Sequence, residues 1–466
     1  MKRIRYELGG GLAEADLESI RDQVVAVLDR VGVECPHART LTRIAGEKGI
    51  RVEGTRVRFA PELVLKTMAE QKARYPRRQV PDEVTVTGPW NCLNIEDLDT
   101  GKIRPSTSAD VLAMWRLLGA VNGGSVCPVY PHDVAGPLQV LFIEKTGLEI
   151  TKTTGTLLEY HDDAMRDIAI EMYRAAGIRY RLMVEFTISP LRLNPDGLER
   201  IWRYRDRPDI DLYAASAPIP HAGSTAPLVL PGGLVQTVAE TFAGVIVVDR
   251  MTDGKVPVRP EFRLELADLR HMTTAYSSPQ NLVNQMAVRD VYRWFTGSPR
   301  IEGIFMTNSQ RCDAQSVMDK TAWIVIHALA GFREFWFGGG MLSQDEVFSA
   351  AQYMIDLELA RYATHLVRGV PYDDSPDAAV KVISEVGPGG EYLSHDTTLE
   401  HMGELFESEL FPRLSVNQWR AAGEADVWHR AAAKAKGLIE GYHFALDPAV
   451  QRELDRLWAK AESLAG

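Results

Sequence analysis

The sequence predicts a (β/α)8 barrel with a small N-terminal α+β region and a helical C-terminal extension. Three observations carry that expectation. From Ser106 onward short apolar runs alternate with helical stretches, eight such runs can be counted, and no GxGxxG opens a helix after an early strand. Strand–helix alternation makes neighbouring strands parallel, and eight parallel strands close into a barrel. The missing glycine fingerprint counts against the alternative, an open doubly wound sheet.

Residues 1–89 form the leading region. Leu17, Ile20, Val24, Val27, Leu28 and Val31 recur at helical spacing and predict an amphipathic helix over 15–31. "IRVEGTRVRF" alternates apolar and polar residues around Glu53-Gly54, a hairpin pattern. A second helix over 61–71 follows.

Residues 90–370 are assigned to the barrel. Its runs are "SVCPVYP", "EITKTTG", "RLMVEFTISP", "IDLYAASAP", "GVIVVDR", "KVPVRP", "RIEGIFMT" and "EFWFGGG". Helical patterns lie between them, over 135–146, 162–176, 196–204, 234–243, 280–295 and 314–330. The weakest unit spans 248–278, where "VVDRMTDGKVPVRP" gives two runs with no helix between them. Residues 371–466 form the extension packing on the barrel. A long helix over 347–368 leads into it, "EVGPGGEYLSHDTTLEH" makes a loop rich in glycine and histidine, and a helix over 418–440 follows.

The 466 residues are 45% apolar and 25% charged, enough to bury a large core. A formal charge of -11 argues against a nucleic-acid backbone or an anionic membrane surface as partner. Cys35, Cys92, Cys127 and Cys312 are scattered without a CxxC pair, as expected of reduced thiols in a cytoplasmic protein. "MKRIRYELGG" has no apolar segment behind its basic residues, and no run approaches the ~18 apolar residues of a membrane span.

Barrel chemistry gathers at the C-terminal ends of the strands. Those ends give Tyr130 and His132, Lys152 and Thr153, Glu185 and Thr187, His221, Asp249 and Arg250, and Arg259 and Glu261. Met306, Asn308, Gln310, Trp336 and Phe337 complete the rim. Each has a plainer reading. Glu185 either serves the site or closes a structural ion pair; His132 and His221 either bind or cap turns. Trp336 and Phe337 either cage a cation or pack in the core. Asn308 and Gln310 could cap the helix starting near Asp313. His395, Asp396 and Glu400 could cap and charge the helix holding His401. No metal site and no Ser/His/Asp order stands out.

The order of local patterns says more. "LESIRDQVVAVLDRVGVECPHARTL" is followed by "RFAPELV", "DLDTGKIRPSTSADV", "FTISPLRLNPDGLE", "APIPHAGSTAPLVLPGGLVQTVAETFAG" and "YSSPQNL". Then come "FWFGGGMLSQD", "ISEVGPGGEYLSHDTTLEH" and "LFPRLSVNQW". In this order the chain resembles the corrinoid-dependent methyltransferase family that contains trimethylamine methyltransferase and its glycine betaine relatives. The resemblance implies a (β/α)8 barrel. It also implies direct transfer of a methyl group from a quaternary amine to cob(I)alamin. That corrinoid is held on a separate corrinoid-binding protein, and this chain binds no cofactor tightly. A homo-oligomer is implied as well.

The trimethylamine enzymes of that family carry pyrrolysine at a strand end before a Thr-Asp-Ser-Lys-like segment. "MTNSQRCDAQ" resembles it and puts Met306 at or beside the pyrrolysine position. On that reading Glu185, Met306, Asn308 and Gln310 are the expected catalytic positions. Tyr130, His132, His221, Trp336, Phe337 and His395 are the expected substrate contacts. Asn308 and Gln310 stand where the family favours Asp and Lys, and Glu391 and Asp396 replace small or basic residues. Residues 90–95 also diverge. The alternatives are a barrel enzyme with a different substrate or methyl acceptor, and a non-catalytic amine-binding protein.

Overall fold

The strands that frame the interior, in the computed structural model, follow one another along the chain. They are β1 (Thr85–Val86), β2 (Trp90–Cys92), β3 (Cys127–Val129), β4 (Tyr180–Glu185), β5 (Ile210–Ser216), β6 (Val258–Pro260), β7 (Glu302–Gly303) and β8 (Glu334–Phe335). The structure describes residues 2–121, 127–151, 160 and 162–465. All recorded pairings among these strands are parallel: β4 with β5 with β6, β7 with β8 with β1, and β2 with β3. Glu185 lies opposite Ala215, Ala214 opposite Val258, and Phe335 opposite both Gly303 and Val86. From β2 onward helices return the chain between successive strands, whereas β1 passes to β2 through residues 87–89 without one, and β1 and β2 were not among the eight expected runs.

The two-residue period of β4 explains its role. Tyr180, Leu182 and Val184 are buried, while Met183 and Glu185 point to the opposite face and line an interior cavity. The helix Pro195–Tyr204 then starts on proline, with the Asn194 side chain accepting from the Asp196 N–H at 3.0 Å. Its buried stripe is Leu198, Ile201 and Trp202.

One expected strand is a helix. "GVIVVDR" belongs to the helix Leu230–Thr252, which connects β5 to β6 and supplies the crossover missing from the weak unit. Every residue from Leu234 to Val248 except Gln236 is buried. A helix apolar on all sides carries no period, so a short piece of it looks like a core strand. This helix is long and apolar enough to cross a membrane, yet 83% of its most apolar stretch is buried inside the protein. Gly244 permits its close approach to β5, since a Cβ there would meet the Ser216 Oγ at 2.2 Å.

Other boundaries also shift. Glu149 and Ile150 of "EITKTTG" end the helix Gln139–Ile150, and residues 152–155 lie outside the described residues. The helix expected over 418–440 is two, Val416–Ala421 and Val427–Gly441. Val347–Ser349 is a strand paired with Asn94–Glu96, and the Ser349 hydroxyl caps the helix Ala350–Arg368 by accepting from the Gln352 N–H.

The predicted N-terminal helix is Glu14–Arg30, packed through Leu17, Ile20, Val24 and Leu28 against Leu230–Thr252. The hairpin Ile50–Glu53/Arg56–Phe59 joins a five-stranded sheet with Val33–Glu34, Thr187–Ile188 and Arg192–Leu193. Helices Val427–Gly441 and Pro448–Ala465 pack on Ala350–Arg368 and Asp163–Ala175 respectively.

Between helices Ala314–Leu329 and Ala350–Arg368 sits a fully buried ion pair. Lys320 Nζ lies 2.6 Å from Asp356 Oδ2, and both side chains have 0% exposure. Burial pushes the ammonium down and the carboxyl up, and each partner's charge opposes the shift in the other. Replacing Lys320 by Ala leaves a buried, uncompensated carboxylate. Urea unfolding should show K320A destabilised by about 3–5 kcal/mol, and the double variant K320M/D356L should recover most of that loss.

A second buried group makes stability depend on pH. Burial pushes the Glu144 carboxyl up to about 8, although Tyr160, donating at 2.5 Å, and the charge of Arg166 pull it down. Its folded pKa therefore exceeds the unfolded value. The contribution of Glu144 to stability is full below about pH 4.5 and is lost as pH rises through about 8. Thermal unfolding between about pH 5 and pH 9 should show a smaller fall in Tm for E144Q than for the unsubstituted protein. Equal slopes would place the carboxylate in contact with solvent.

Candidate active site

The inward faces of β4 to β8 enclose a narrow cavity of about 60 Å³. Alternate residues reach it: Met183 and Glu185 from β4, Tyr213 and Ala215 from β5, Arg259 and Glu261 from β6 and its end. Arg263 extends the third series, and Arg300, Glu302 and Ile304 form another along β7. Trp336 and Phe337, just past β8, close one side.

Most of the lumen charge is neutralised internally. Arg259 pairs with Glu261 at 2.5 Å and with Glu302 at 2.9 Å, which ties β6 to β7. Burial works against the Arg259 charge, but Glu261 and Glu302 outweigh it and hold the guanidinium above its usual value. Arg78 reaches Glu302 and, at 3.0 Å, Glu334. Arg300 is different. Its Nε donates to the Glu302 carbonyl at 3.2 Å, and burial holds the guanidinium below its usual value against the pull of Glu261.

Backbone conformation places the two aromatic rings. Adjacent residues of a regular strand face opposite sides, yet Trp336 and Phe337 both line the cavity. Phe337 adopts φ 57°, a left-handed conformation uncommon for a bulky residue, and this breaks the alternation. Trp336 N–H donates to the Gly303 carbonyl and Phe337 N–H to the Thr87 hydroxyl. The following Gly338 has φ 108°, and a Cβ there would meet the Phe305 carbonyl oxygen at 1.9 Å. Lys320 Nζ donates to the Gly338 carbonyl at 2.6 Å, and Asp356 accepts from Gly340 N–H at 2.7 Å. The Phe337 ring packs 4.1 Å from Trp90, centroid to centroid, and the Arg259 guanidinium lies 6.0 Å from the Trp336 ring.

Of the residues singled out in the sequence, Glu185, Trp336 and Phe337 meet in this cavity, together with Arg259 and Glu261. Met306 is 6% exposed and belongs to the core, one residue beyond Phe305. Asn308 does not cap the next helix. Its Oδ1 accepts from Ser277, its Nδ2 donates to the Thr274 carbonyl at 2.8 Å, and Asp313 performs the capping. Gln310 is exposed and donates to the Asn308 carbonyl. His221 joins the same loop cluster, with Nε2 2.9 Å from the Thr274 hydroxyl and Nδ1 3.0 Å from the Ile219 carbonyl.

The remaining candidates sit elsewhere. Tyr130 donates to Asn91, and His132 Nε2 lies 2.9 Å from the Leu93 carbonyl. His395 caps the short helix Asp396–His401 through Thr397 N–H and contacts Glu385 in the C-terminal extension. Asp249 and Arg250 lie near the end of the helix Leu230–Thr252, not at a strand end. Lys152 and Thr153 lie outside the described residues. Among the described residues, no group of three His, Cys, Asp or Glu side chains is placed to hold a metal ion.

Arg263, Arg300 and Glu302 were not singled out in the sequence. The available signal was charge at every second position, Arg259-Glu261-Arg263 and Arg300-Glu302, which marks a polar strand face. Whether such a face meets solvent or an interior depends on what covers it.

Residues 8–465 match the protein family described as trimethylamine methyltransferase (MTTB). A trimethylamine methyltransferase MttB of Desulfitobacterium hafniense is 31% identical over 93% of this chain and 90% of its own length. A glycine betaine methyltransferase of Desulfitobacterium hafniense strain Y51 is 25% identical over 95% of this chain and 94% of its own. An L-carnitine:corrinoid methyltransferase of Eubacterium limosum is 21% identical over 92% and 93%. The likeness extends over nearly the whole chain, and the chain therefore belongs to the trimethylamine methyltransferase family and is a methyltransferase.

Proposed function

We propose that the protein transfers a methyl group from a quaternary amine of the glycine betaine type to the Co(I) of a corrinoid carried by a partner protein. The observation that carries this reading is the meeting of two aromatic rings, Trp336 and Phe337, with the Glu185 carboxylate in one small cavity. Aromatic faces and a carboxylate attract a quaternary ammonium, which offers no N–H to bond. Two of the three relatives are named for quaternary amines and one for a corrinoid. A cavity of about 60 Å³ suits a compact alkylammonium head.

The chemistry asks little of the side chains beyond placement. The corrinoid supplies the nucleophile, Co(I). Methyl transfer breaks the C–N bond, and its electron pair leaves with nitrogen as a neutral tertiary amine, so no proton need move. Trp336 and Phe337 would orient the ammonium, Glu185 would stabilise its charge, and the enclosing strands would exclude water. The buried Met306 would support the apolar wall from behind. Asn308 and His221, tied together through Thr274, would shape the rim, with Gln310 braced on Asn308.

The same proposal includes a closed (β/α)8 barrel. Its support is the parallel pairing of β4–β5–β6, β7–β8–β1 and β2–β3, with Arg259 of β6 bridging to Glu302 of β7. Residues 90–370 would carry the barrel, with Thr85–Val86 joining from residues 1–89, and 371–466 would pack on it as the extension. A homo-oligomeric state and a cytoplasmic location belong to this reading and rest on the family likeness alone.

Anaerobic incubation with cob(I)alamin and a panel of amines tests it. Glycine betaine or another quaternary amine should discharge the cob(I)alamin absorbance, and trimethylamine should not. Silence across the panel with folded protein would overturn the methyl-acceptor assignment. Trp336→Ala should raise KM for the active amine about tenfold, matching about 1–2 kcal/mol for one cation–aromatic contact. An unchanged KM would remove Trp336 from the site.

A further inference from the structure

The cavity is lined by two arginines whose donors are not all met among the described residues; one of them, Arg300, also borders a second cavity of about 480 Å³ and lies 5.7 Å from the Phe332 ring. Arg300 is 9% exposed, and its Nη1 is buried with no hydrogen-bond partner among the described residues. Its one recorded hydrogen bond leaves from Nε, to the Glu302 carbonyl. Arg263 lines the same cavity, and among the described residues its guanidinium has no recorded hydrogen bond or ion pair. Only its backbone N–H is engaged, by the Thr237 hydroxyl at 3.3 Å.

Three carboxylates around the cavity already have partners, although the charge of Glu261 still favours the Arg300 guanidinium. Glu261 and Glu302 hold Arg259, and Glu302 also holds Arg78. Glu265 accepts from Asn281 at 2.9 Å and Gln285 at 3.0 Å. Arg263 and Arg300 meanwhile repel one another, and burial of Arg300 adds to the cost of its charge. A buried, unpaired guanidinium is strongly unfavourable unless an anion completes its bonding. Guanidinium donors suit a carboxylate, which can accept from two nitrogens at once.

We propose that Arg263 and Arg300 form a carboxylate subsite at one side of the cavity that Trp336, Phe337 and Glu185 line, so that the site selects a zwitterion. The inference rests on the quaternary-amine reading for the cation and on these two residues for the anion. Such a ligand presents a positive head to the rings and a negative end to the arginines, and the cavity's small volume favours a short link between them. The pair sets specificity. It takes no part in breaking the C–N bond.

Calorimetric binding to the full-length protein tests the assignment with glycine betaine, choline, tetramethylammonium and propionate as probes. Choline keeps the quaternary head and lacks the carboxylate. Glycine betaine should bind at least about tenfold more tightly than choline. R263Q and R300Q should each weaken betaine about tenfold or more while leaving choline unchanged, with R263K and R300K restoring part of the loss. Retained choline binding reports that a variant is folded, and the partly exposed Arg263 keeps the test available should R300Q fail to fold. Equal affinity for choline and betaine in the unsubstituted protein would overturn the subsite while sparing the amine reading, and so would full betaine affinity in both glutamine variants. Propionate binding that R263Q abolishes, with no quaternary amine bound, would uphold the subsite and remove the amine reading. No binding of any probe by folded protein overturns both.

Discussion

The buried pair of Lys320 and Asp356 is the contact on which the rest of the site depends. Asp356 accepts from Lys320, from Gln352 Nε2 at 2.8 Å and from Gly340 N–H, while Lys320 also donates to the Gly338 carbonyl. Gln352 is fixed in turn by the Ser316 hydroxyl at 2.8 Å. Two helices and the turn after β8 are thereby joined at one buried point. Desolvating two charges costs several kcal/mol each, and only a geometry that satisfies nearly every donor and acceptor offsets that cost. The turn consequently has one arrangement. That arrangement holds Phe337 in its left-handed conformation and brings both rings into the cavity.

A second constraint is the charge balance of the interior. Arg78 and Arg259 lie among Glu261, Glu302 and Glu334, and these ion pairs stand where no ladder of backbone hydrogen bonds joins β6 to β7 among the described residues. They tie β6 to β7 by side chains instead. Against that background Arg263 and Arg300 differ from Arg259, the third arginine lining the cavity, in having no ion pair among the described residues.

Several elements were legible before the structure. Helical spacing located the helix Glu14–Arg30 within a residue at each end, and alternation located the hairpin at Ile50–Phe59. Strand-end position singled out Glu185, Trp336 and Phe337, and all three line the cavity. Asn308, Gln310, His132 and His221, singled out in the same way, and His395 from the C-terminal loop do not line that cavity, and their hydrogen bonds brace neighbouring loops or cap a helix. Polar side chains at strand ends serve both purposes, and spacing does not distinguish them. "GVIVVDR" misled for a related reason, since burial on every side erases the period that separates helix from strand.

By itself the sequence determined the strand–helix alternation, the apolar faces of the amphipathic elements and, through the order of its local patterns, the family. Those properties are written in local periodicity and in runs of residues that survive without knowledge of contacts. Tertiary structure alone decided that Trp336 and Phe337 share a side, because one left-handed backbone angle sets it and a buried ion pair from two distant helices enforces it. It also decided that Arg259 is paired with carboxylates while, among the described residues, Arg263 and Arg300 have no ion pair. A guanidinium's partner depends on which carboxylates come within about 3 Å, and that is fixed by the packing of strands far apart in the chain.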